Sequence, residues 1–437
     1  MAKLESRGFS AADAEEFRAR CLQPHRVQWK ADVYKWGSGG SAVTIAKDIP
    51  IVGGRLTMDS SDPYRRQVVL EIGGGESWAP VDDTSPLTPF GQRIYLFCRI
   101  DKADGTNTSW LKMGEFWITS NVFERPSTIL TVEASDYSEV VDGYLHMSRK
   151  SYVGHTVGGA ITGMVQAALP NGGWSNVVLP NAVDNTRRRV TKYVADAGRG
   201  RWECAEELAS KYGIDIYFNS NGDLTYRQSL SDSSDVDDTA IRGVGPDIGT
   251  SKYPVAIIKG GASGNLIAMT STVTRDGGAN GVRINMHSVV TKKVNTRKKD
   301  KKGKWIYKNV DVDVNRHKDA LQTSGPAKWG DSFGYLPVVI SEEVDKITTA
   351  VQVNRQARAN ALLRRRRGLI RYIDLDILPR YDLEPDDIVR IDVTHTDAAG
   401  VVTTFKEFHY IQRCEFDLTG GPLRLRTRQL NVTDLGN

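Results

Sequence analysis

The stretch that most constrains this chain spans residues 348–393. Ala350, Val353, Ala357 and Ala361 recur at three- and four-residue spacing, which places them on one face of a helix. The same helix carries Arg355, Arg358, Arg364, Arg365, Arg366 and Arg367, and Gly368 supplies a C-terminal stop. Residues 369–378 then alternate around Ile373, Leu375 and Ile377, a strand pattern that ends at Pro379. An acidic corner follows, Leu383-Glu384-Pro385-Asp386-Asp387, and Ile388-Val389-Arg390-Ile391-Asp392-Val393 alternates again. Proline followed by aspartate turns a chain tightly between strands. The small alanine face lets the helix lie close against a neighbouring surface, expected to be the chain's own barrel.

Upstream, the chain reads as β-rich. A short helix over 10–22 opens with Phe9, Ser10 and Asp13, an approximate capping box with a staple. Strand patterns follow at 27–36, 42–45, 55–58, 66–72, 93–100, 113–121 and 128–134, separated by turns rich in Gly, Asp and Pro, with Asp104-Gly105 as a hairpin signal. Short strands at this spacing predict a β-barrel or sandwich. The segment Asp59-Ser60-Ser61-Asp62-Pro63-Tyr64 reads as a long loop with no chemistry assigned to it.

From about residue 140 the period changes. Residues 156–169 have helical spacing, although Gly158, Gly159 and Gly163 each cost about 1 kcal/mol against alanine. Residues 201–213 form the clearest helix, closed by Gly213. A strand over 214–218, the turn Asn221-Gly222 and a returning strand over 224–227 complete this α+β segment. Glu206 and Glu207 do not face one another, because adjacent helical residues diverge by about 100°; both are expected to be solvated. A second β-rich block begins near 254, and residues 289–315 form a long hairpin with a basic tip. Lys298, Lys299, Lys301, Lys302 and Lys304 sit at that tip, with Trp305 and Tyr307 beside them. Phosphates want cations and bases stack on aromatics. An exposed hairpin whose charges prevent edge pairing is the favoured reading.

Composition limits the function classes. Net charge is +5 over 437 residues, too modest to argue for nucleic acid by itself. No run of about 18 apolar residues marks a transmembrane helix, and the first residues lack the apolar core of a signal peptide. Cys21, Cys98, Cys204 and Cys414 are far apart and read as ordinary thiols, so neither zinc nor a disulfide framework is expected. The seven histidines are dispersed, with no HExxH or GxSxG. We expect no enzyme, no catalytic or metal residues and no cofactor.

Three segments together resemble the tail-hub and baseplate hub proteins of bacteriophages. Residues 379–391 match a segment of the type P-x-L-x-P-G-D-x-V-x-V, with Asp386 where the family has glycine. Residues 130–136 resemble the close of its first barrel, and residues 201–224 resemble its second domain. The resemblance implies a mainly β fold with an α+β insert: two tube-like β-barrel domains flank a small α+β domain, and a helix precedes the last strands. The corresponding division is an N-terminal helix (1–24), a first barrel (25–145), an α+β insert (146–250) and a second barrel (251–437). The last contains the basic hairpin (289–315) and a helix (345–367). It further implies a virion structural protein at the phage tail tip, made in the host cytoplasm. Three copies would form a pseudo-sixfold ring joining a hexameric tail tube or distal tail protein to a trimeric spike or fibre. DNA would pass transiently through the lumen, and no membrane insertion is expected. The six arginines from Arg355 to Arg367 are then expected at the subunit interface. A tail-tip protein with cell-wall hydrolase activity, or a hub of a phage-derived contractile injection system, is the alternative.

Overall fold

A computed structural model describes residues 4, 7, 9–36, 42–102, 104–126, 128–169, 177–178, 184–187, 189–190, 193–228, 256–260, 264–274, 279–299, 302–323, 328–331, 334–344, 347, 349, 352, 355–356, 359–360, 363, 370–396, 400 and 402–429. Helix α1 (Ala11–Arg20) starts at Ser10, whose hydroxyl accepts from the Asp13 amide at 3.1 Å. Phe9 and Phe17 meet edge to face with ring centroids 5.5 Å apart. Both are buried with Ala14 and Cys21, so this helix is part of the main core.

The first β unit comprises β1 (Val27–Trp36), β2 (Ala42–Ile49), β3 (Ile51–Asp59), β4 (Arg66–Gly73), β5 (Arg93–Ile100), β6 (Leu111–Phe123) and β7 (Ile129–Ser135). Its period-two alternation sorts the two faces. In β4, Val68, Leu70 and Ile72 are buried while Gln67 and Glu71 are exposed. The hydrogen-bonded order is β2-β1-β5-β6-β7-β4-β3. Only Pro50 separates β2 from β3. The two are halves of one bent strand, and the order returns on itself as a barrel.

The insert holds α2 (Tyr137–Gly143), α3 (Val157–Gln166), α4 (Arg201–Lys211) and the hairpin β8 (Ile214–Phe218)–β9 (Leu224–Gln228). In α4, Trp202, Ala205, Leu208 and Ala209 are buried on one face, against α3 and the hairpin. Gly213 follows with a φ of +66°, the left-handed stop its position in the sequence predicts.

The second β unit is built from β10 (Ala256–Lys259), β11 (Leu266–Thr274), β15 (Ile370–Ile377), β16 (Ile388–Thr396), β17 (Val402–Asp417) and β18 (Leu423–Gln429). Between them in sequence lie β12 (Gly281–Lys299), β13 (Trp305–Leu321) and β14 (Pro337–Glu343). The order in the second unit is β10-β16-β17-β18-β15-β11, and the Lys259 amide at the end of β10 donates to Asn265 Oδ1 at 3.0 Å, just before β11.

Strand β17 is long enough to serve both units. Its first part, Val402 to Tyr410, pairs with β16, and Arg413 to Asp417 pairs antiparallel with Asp59 to Arg55 of β3. Cys414 lies opposite Met58 and Phe416 opposite Leu56, all four buried in one hydrophobic cluster that runs through both barrels. Full burial of a side chain such as Leu56 or Phe416 contributes about 1.5–3 kcal/mol.

The long hairpin departs from its expected place. Strands β12 and β13 pair along their length and, with β14, form a three-stranded sheet outside the second barrel's wall. Of the expected helix 345–367, Thr349, Gln352, Arg355, Gln356, Ala359, Asn360 and Leu363 are described as helical. Ala359 and Leu363 pack on Val282, Ile284 and Ala320, so this helix covers the base of the hairpin rather than the barrel. The reason is local: Val282, Ile284 and Ala320 give the hairpin base an apolar face. The stripe of Ala350, Val353, Ala357 and Ala361 lies outside the described residues.

Gly54 marks a close approach of β3 to β4. Its φ is +123°, and a Cβ there would sit 2.1 Å from the Val69 carbonyl oxygen. Gly54→Ala is therefore expected to lower the unfolding free energy by about 2–4 kcal/mol. Urea denaturation measures this, and an unchanged midpoint would show that the strand relaxes freely there.

Candidate functional site

The acidic corner after β15 is where the parts of the chain meet. Asp386 adopts a φ of +74°, the conformation glycine takes in the resembled motif, and aspartate is among the residues that enter it. The Asp386 amide donates to the Ile411 carbonyl at 2.6 Å, the Ile411 amide donates to the Asp387 carbonyl at 2.9 Å, and the Glu384 amide donates to Asp387 Oδ2 at 2.9 Å. The backbone is thereby fixed, and the carboxylates of Glu384 and Asp386 are presented to Arg65 and Arg66 at the head of β4.

Arg66 donates from Nη2 to Glu384 at 2.6 Å and from Nη1 to the Met113 carbonyl at 3.1 Å, while its amide donates to Asp136 at 3.1 Å. Arg65 donates to Asp386 at 2.5 Å and to the Pro385 carbonyl at 2.9 Å. Its guanidinium also lies 4.0 Å from the ring centroid of Tyr217 in the insert. Arg7 reaches Glu384 from the N-terminal segment. Arg65 and Arg66 are both buried, so these are desolvated, charge-assisted contacts. Beside them Arg380 holds Asp382 in a two-point pair at 2.6 and 3.1 Å, and Arg18 of α1 lies 3.6 Å from the same carboxylate. Burial pushes Asp382 up, and the Arg380 guanidinium outweighs this and holds it below the usual carboxylate range.

A second joint fixes the insert on the barrel wall. Arg93 donates to Glu115 at 2.7 Å and to the Tyr137 hydroxyl at 2.8 Å, and Tyr137 donates to Glu115. Lys112 donates to the other oxygen of Glu115 at 3.1 Å. The Asn221-Gly222 turn lands on this cluster: a Cβ on Gly222 would sit 2.8 Å from Glu115. The loop before β4 also holds the insert. Trp202 Nε1 donates to the Pro63 carbonyl at 3.1 Å, and the Tyr64 hydroxyl donates to Asp142 at 2.9 Å.

Glu206 and Glu207 are not simply solvated. Glu207 pairs with Arg199 at 2.7 Å and Lys211 at 2.9 Å, which outweighs its burial and holds its pKa at about 2. Burial, with Asp142, Asp136 and Asp62 nearby, raises Glu206 to about 7. They point away from one another as helical spacing requires, so their opposite shifts do not make an acid–base pair.

The basic hairpin projects as an arm. Strand β14 accompanies β12 only over Gly281–His287. Beyond His287 the arm is two-stranded, with Lys298, Lys302 and Lys304 exposed near its end. Lys299 is in the strand, with its side chain outside the described residues, as is all of Lys301. Among the expected interface residues, Arg355 is half-buried on the helix above the hairpin base. Arg358, Arg364, Arg365, Arg366 and Arg367 lie outside the described residues. Among the described residues no helix is long and apolar enough to cross a membrane.

No family model and no curated protein matches the chain. Solved structures do. A tail protein from Neisseria meningitidis MC58 superposes with a TM-score of 0.50 at 15% identity, covering 92% of this chain and 96% of that one. The chain has the fold of a tail protein. A 43 kDa tail protein of prophage MuSo2 from Shewanella oneidensis aligns with a TM-score of 0.45 at 12% identity, over 93% of this chain and 99% of that one. Prophage tail protein gp18 from Listeria monocytogenes EGD-e aligns with a TM-score of 0.46 at 10% identity, over 93% and 96%.

Within this tail-protein fold, the residues that sequence reasoning passed over are Arg65 and Arg66. Their signal was available: two adjacent arginines head a strand whose inward positions are otherwise apolar, and such cations need carboxylates from elsewhere.

Two outcomes follow from these contacts. Glu384→Ala is expected to cost about 3–5 kcal/mol, because buried Arg66 loses its carboxylate. Asp386→Ala should cost about 1–2 kcal/mol more than Asp386→Gly, since both remove the carboxylate and only alanine resists the left-handed turn. Denaturant midpoints decide, and equal costs for the two Asp386 variants would contradict the turn assignment. Glu206 supplies the pH test. Its folded pKa of about 7 lies above its unfolded value, so its contribution is fully present below about pH 4 and declines as pH rises through 7. Glu206→Gln should melt higher than the parent at pH 8 and show a flatter melting profile between pH 5 and 7.5. A variant less stable at pH 8 would contradict this.

Proposed function

We propose that this chain is the structural hub of a phage tail. In this reading three copies form a ring between a hexameric tail tube or distal tail protein and a trimeric spike or fibre at the tail tip, and DNA passes through its lumen. One observation carries the proposal: β17 joins two barrels edge to edge in each chain, so three chains supply six barrels. A ring of this kind meets a sixfold tube on one face and a threefold partner on the other. The tail-protein fold supports the same reading. The buried arginine–carboxylate joint supports it further, because it makes each pair of barrels one stiff unit able to hold a ring's geometry. The six arginines of the 345–367 helix are the proposed subunit contacts, where bidentate guanidinium–carboxylate pairs would cross the boundary. The chain is read as having no hydrolytic role.

Light scattering on the purified protein, with the tube partner added if the chain alone is monomeric, is expected to give three chain masses. Replacing Arg364, Arg365, Arg366 and Arg367 with serine should weaken that assembly and leave the circular dichroism unchanged. A dimer mass would overturn the ring. Zymography against cell walls is expected to show no clearing, and a cleared band lost on replacement of a single histidine would identify a hydrolase.

A further inference from the structure

The arm beyond His287 is built to lie against something. From Ser288 to Lys299 it extends about 35 Å, at roughly 3.3 Å per residue. A two-stranded ribbon of this kind is marginal in water on its own. One of its faces continues the apolar face that Ala359 and Leu363 cover at the base. Val290 lies opposite Val312, Lys292 opposite Val310, and Val294 opposite Lys308. Val294 is 46% exposed and Val310 is 38% exposed. This face therefore alternates valine with lysine.

Charge narrows the partner. Residues 292–308 contain nine lysines and arginines against one aspartate, a net +8 in a chain whose total is +5, which leaves −3 for the remainder. Residues 62–145 contain seven basic and thirteen acidic side chains, a net −6. That surplus includes the outer wall of the first barrel. Glu71 on β4 and Glu133 on β7 are exposed there, with Val122 of β6 and Val52 of β3 each about half exposed. Val122 and Glu71 flank Thr131 in one cross-strand row, and Glu133 pairs with Val69 in the next, so valine and glutamate share this wall as valine and lysine share the arm.

We propose that the β12–β13 arm docks across the outer β3–β4–β7–β6 wall of the first barrel in a second copy of this chain. The contact rests on the self-assembly proposed above and gives it a specific surface. Valines on the arm cover valines on the wall, and Lys292 and Lys308 meet Glu71 and Glu133. A nucleic acid would satisfy the lysines but leave the valine stripe in water, which is why a protein wall is the better fit. Such a contact joins two different surfaces, so it propagates from copy to copy and closes when the rotation closes.

The test uses two full-length single-cysteine additions, Val294→Cys in one preparation and Val122→Cys in a second, longer-tagged one. The four native cysteines are buried. Mixed and treated with a bismaleimide, the two preparations are expected to give a mixed cross-linked pair. Its yield should fall at least tenfold with Lys292→Glu and Lys308→Glu on the arm and recover with Glu71→Lys and Glu133→Lys on the wall. Circular dichroism confirms that each variant is folded. No mixed product from chains that still assemble by light scattering overturns the arm contact and leaves the ring reading intact. Chains monomeric with and without the tube partner overturn both. Binding of a labelled DNA duplex that depends on Lys292 and Lys308, with no mixed product, assigns the arm to nucleic acid instead and overturns the proposal.

Discussion

The structure depends on one buried exchange of charge, in which Arg65 and Arg66 of the first barrel are neutralised by Asp386 and Glu384 of the second. Neither pair of residues makes sense within its own domain. A buried arginine without a carboxylate is costly, and the left-handed turn that carries Asp386 gives no return unless that carboxylate is used. Brought together, they link five pieces of chain. The N-terminal segment arrives through Arg7, the insert through Tyr217 and Asp136, β6 through the Met113 carbonyl, and both barrels through the four residues themselves. The β3–β17 seam then extends this point contact into a shared sheet and a shared core.

What could be foreseen from sequence follows the range of the interactions. Local signals were legible: the Ser10 cap, Gly213 after α4, the Asn221-Gly222 turn, and the alternation that sets the two faces of β4. Asp386 was identified as standing in a glycine's place, and it adopts the glycine conformation. Contacts across hundreds of residues were not legible. Arg66 and Glu384 are 318 positions apart, and no local pattern couples them. The same limit explains why the seam went unseen, since the alternation in β17 reports that Cys414 and Phe416 are buried but not that β3 lies opposite. It also explains Glu206, which reads as a surface residue on α4 until the fold buries it and brings Asp142, Asp136 and Asp62 near it.

Under the proposed hub role these features share a purpose. A component placed between a tube and a tip would gain from stiffness between its barrels, and a desolvated ion-pair joint supplies that stiffness. The insert is held by two joints of its own, Glu115 with Arg93 and Tyr137, and the loop of Pro63 and Tyr64. The long arm is the contrasting element: it leaves the body after His287 and carries the strongest cationic charge in the chain. In the proposed assembly the rigid body would hold shape and the extended arm would reach a neighbour.

The claim that the two barrels form one mechanical unit is tested most directly by native-state hydrogen exchange, comparing the slowest amides of β4 with those of β16. If the arginine–carboxylate joint and the β17 seam couple the barrels, both sets open with one common free energy. Two distinct opening energies, with one barrel exchanging while the other stays protected, would contradict the account.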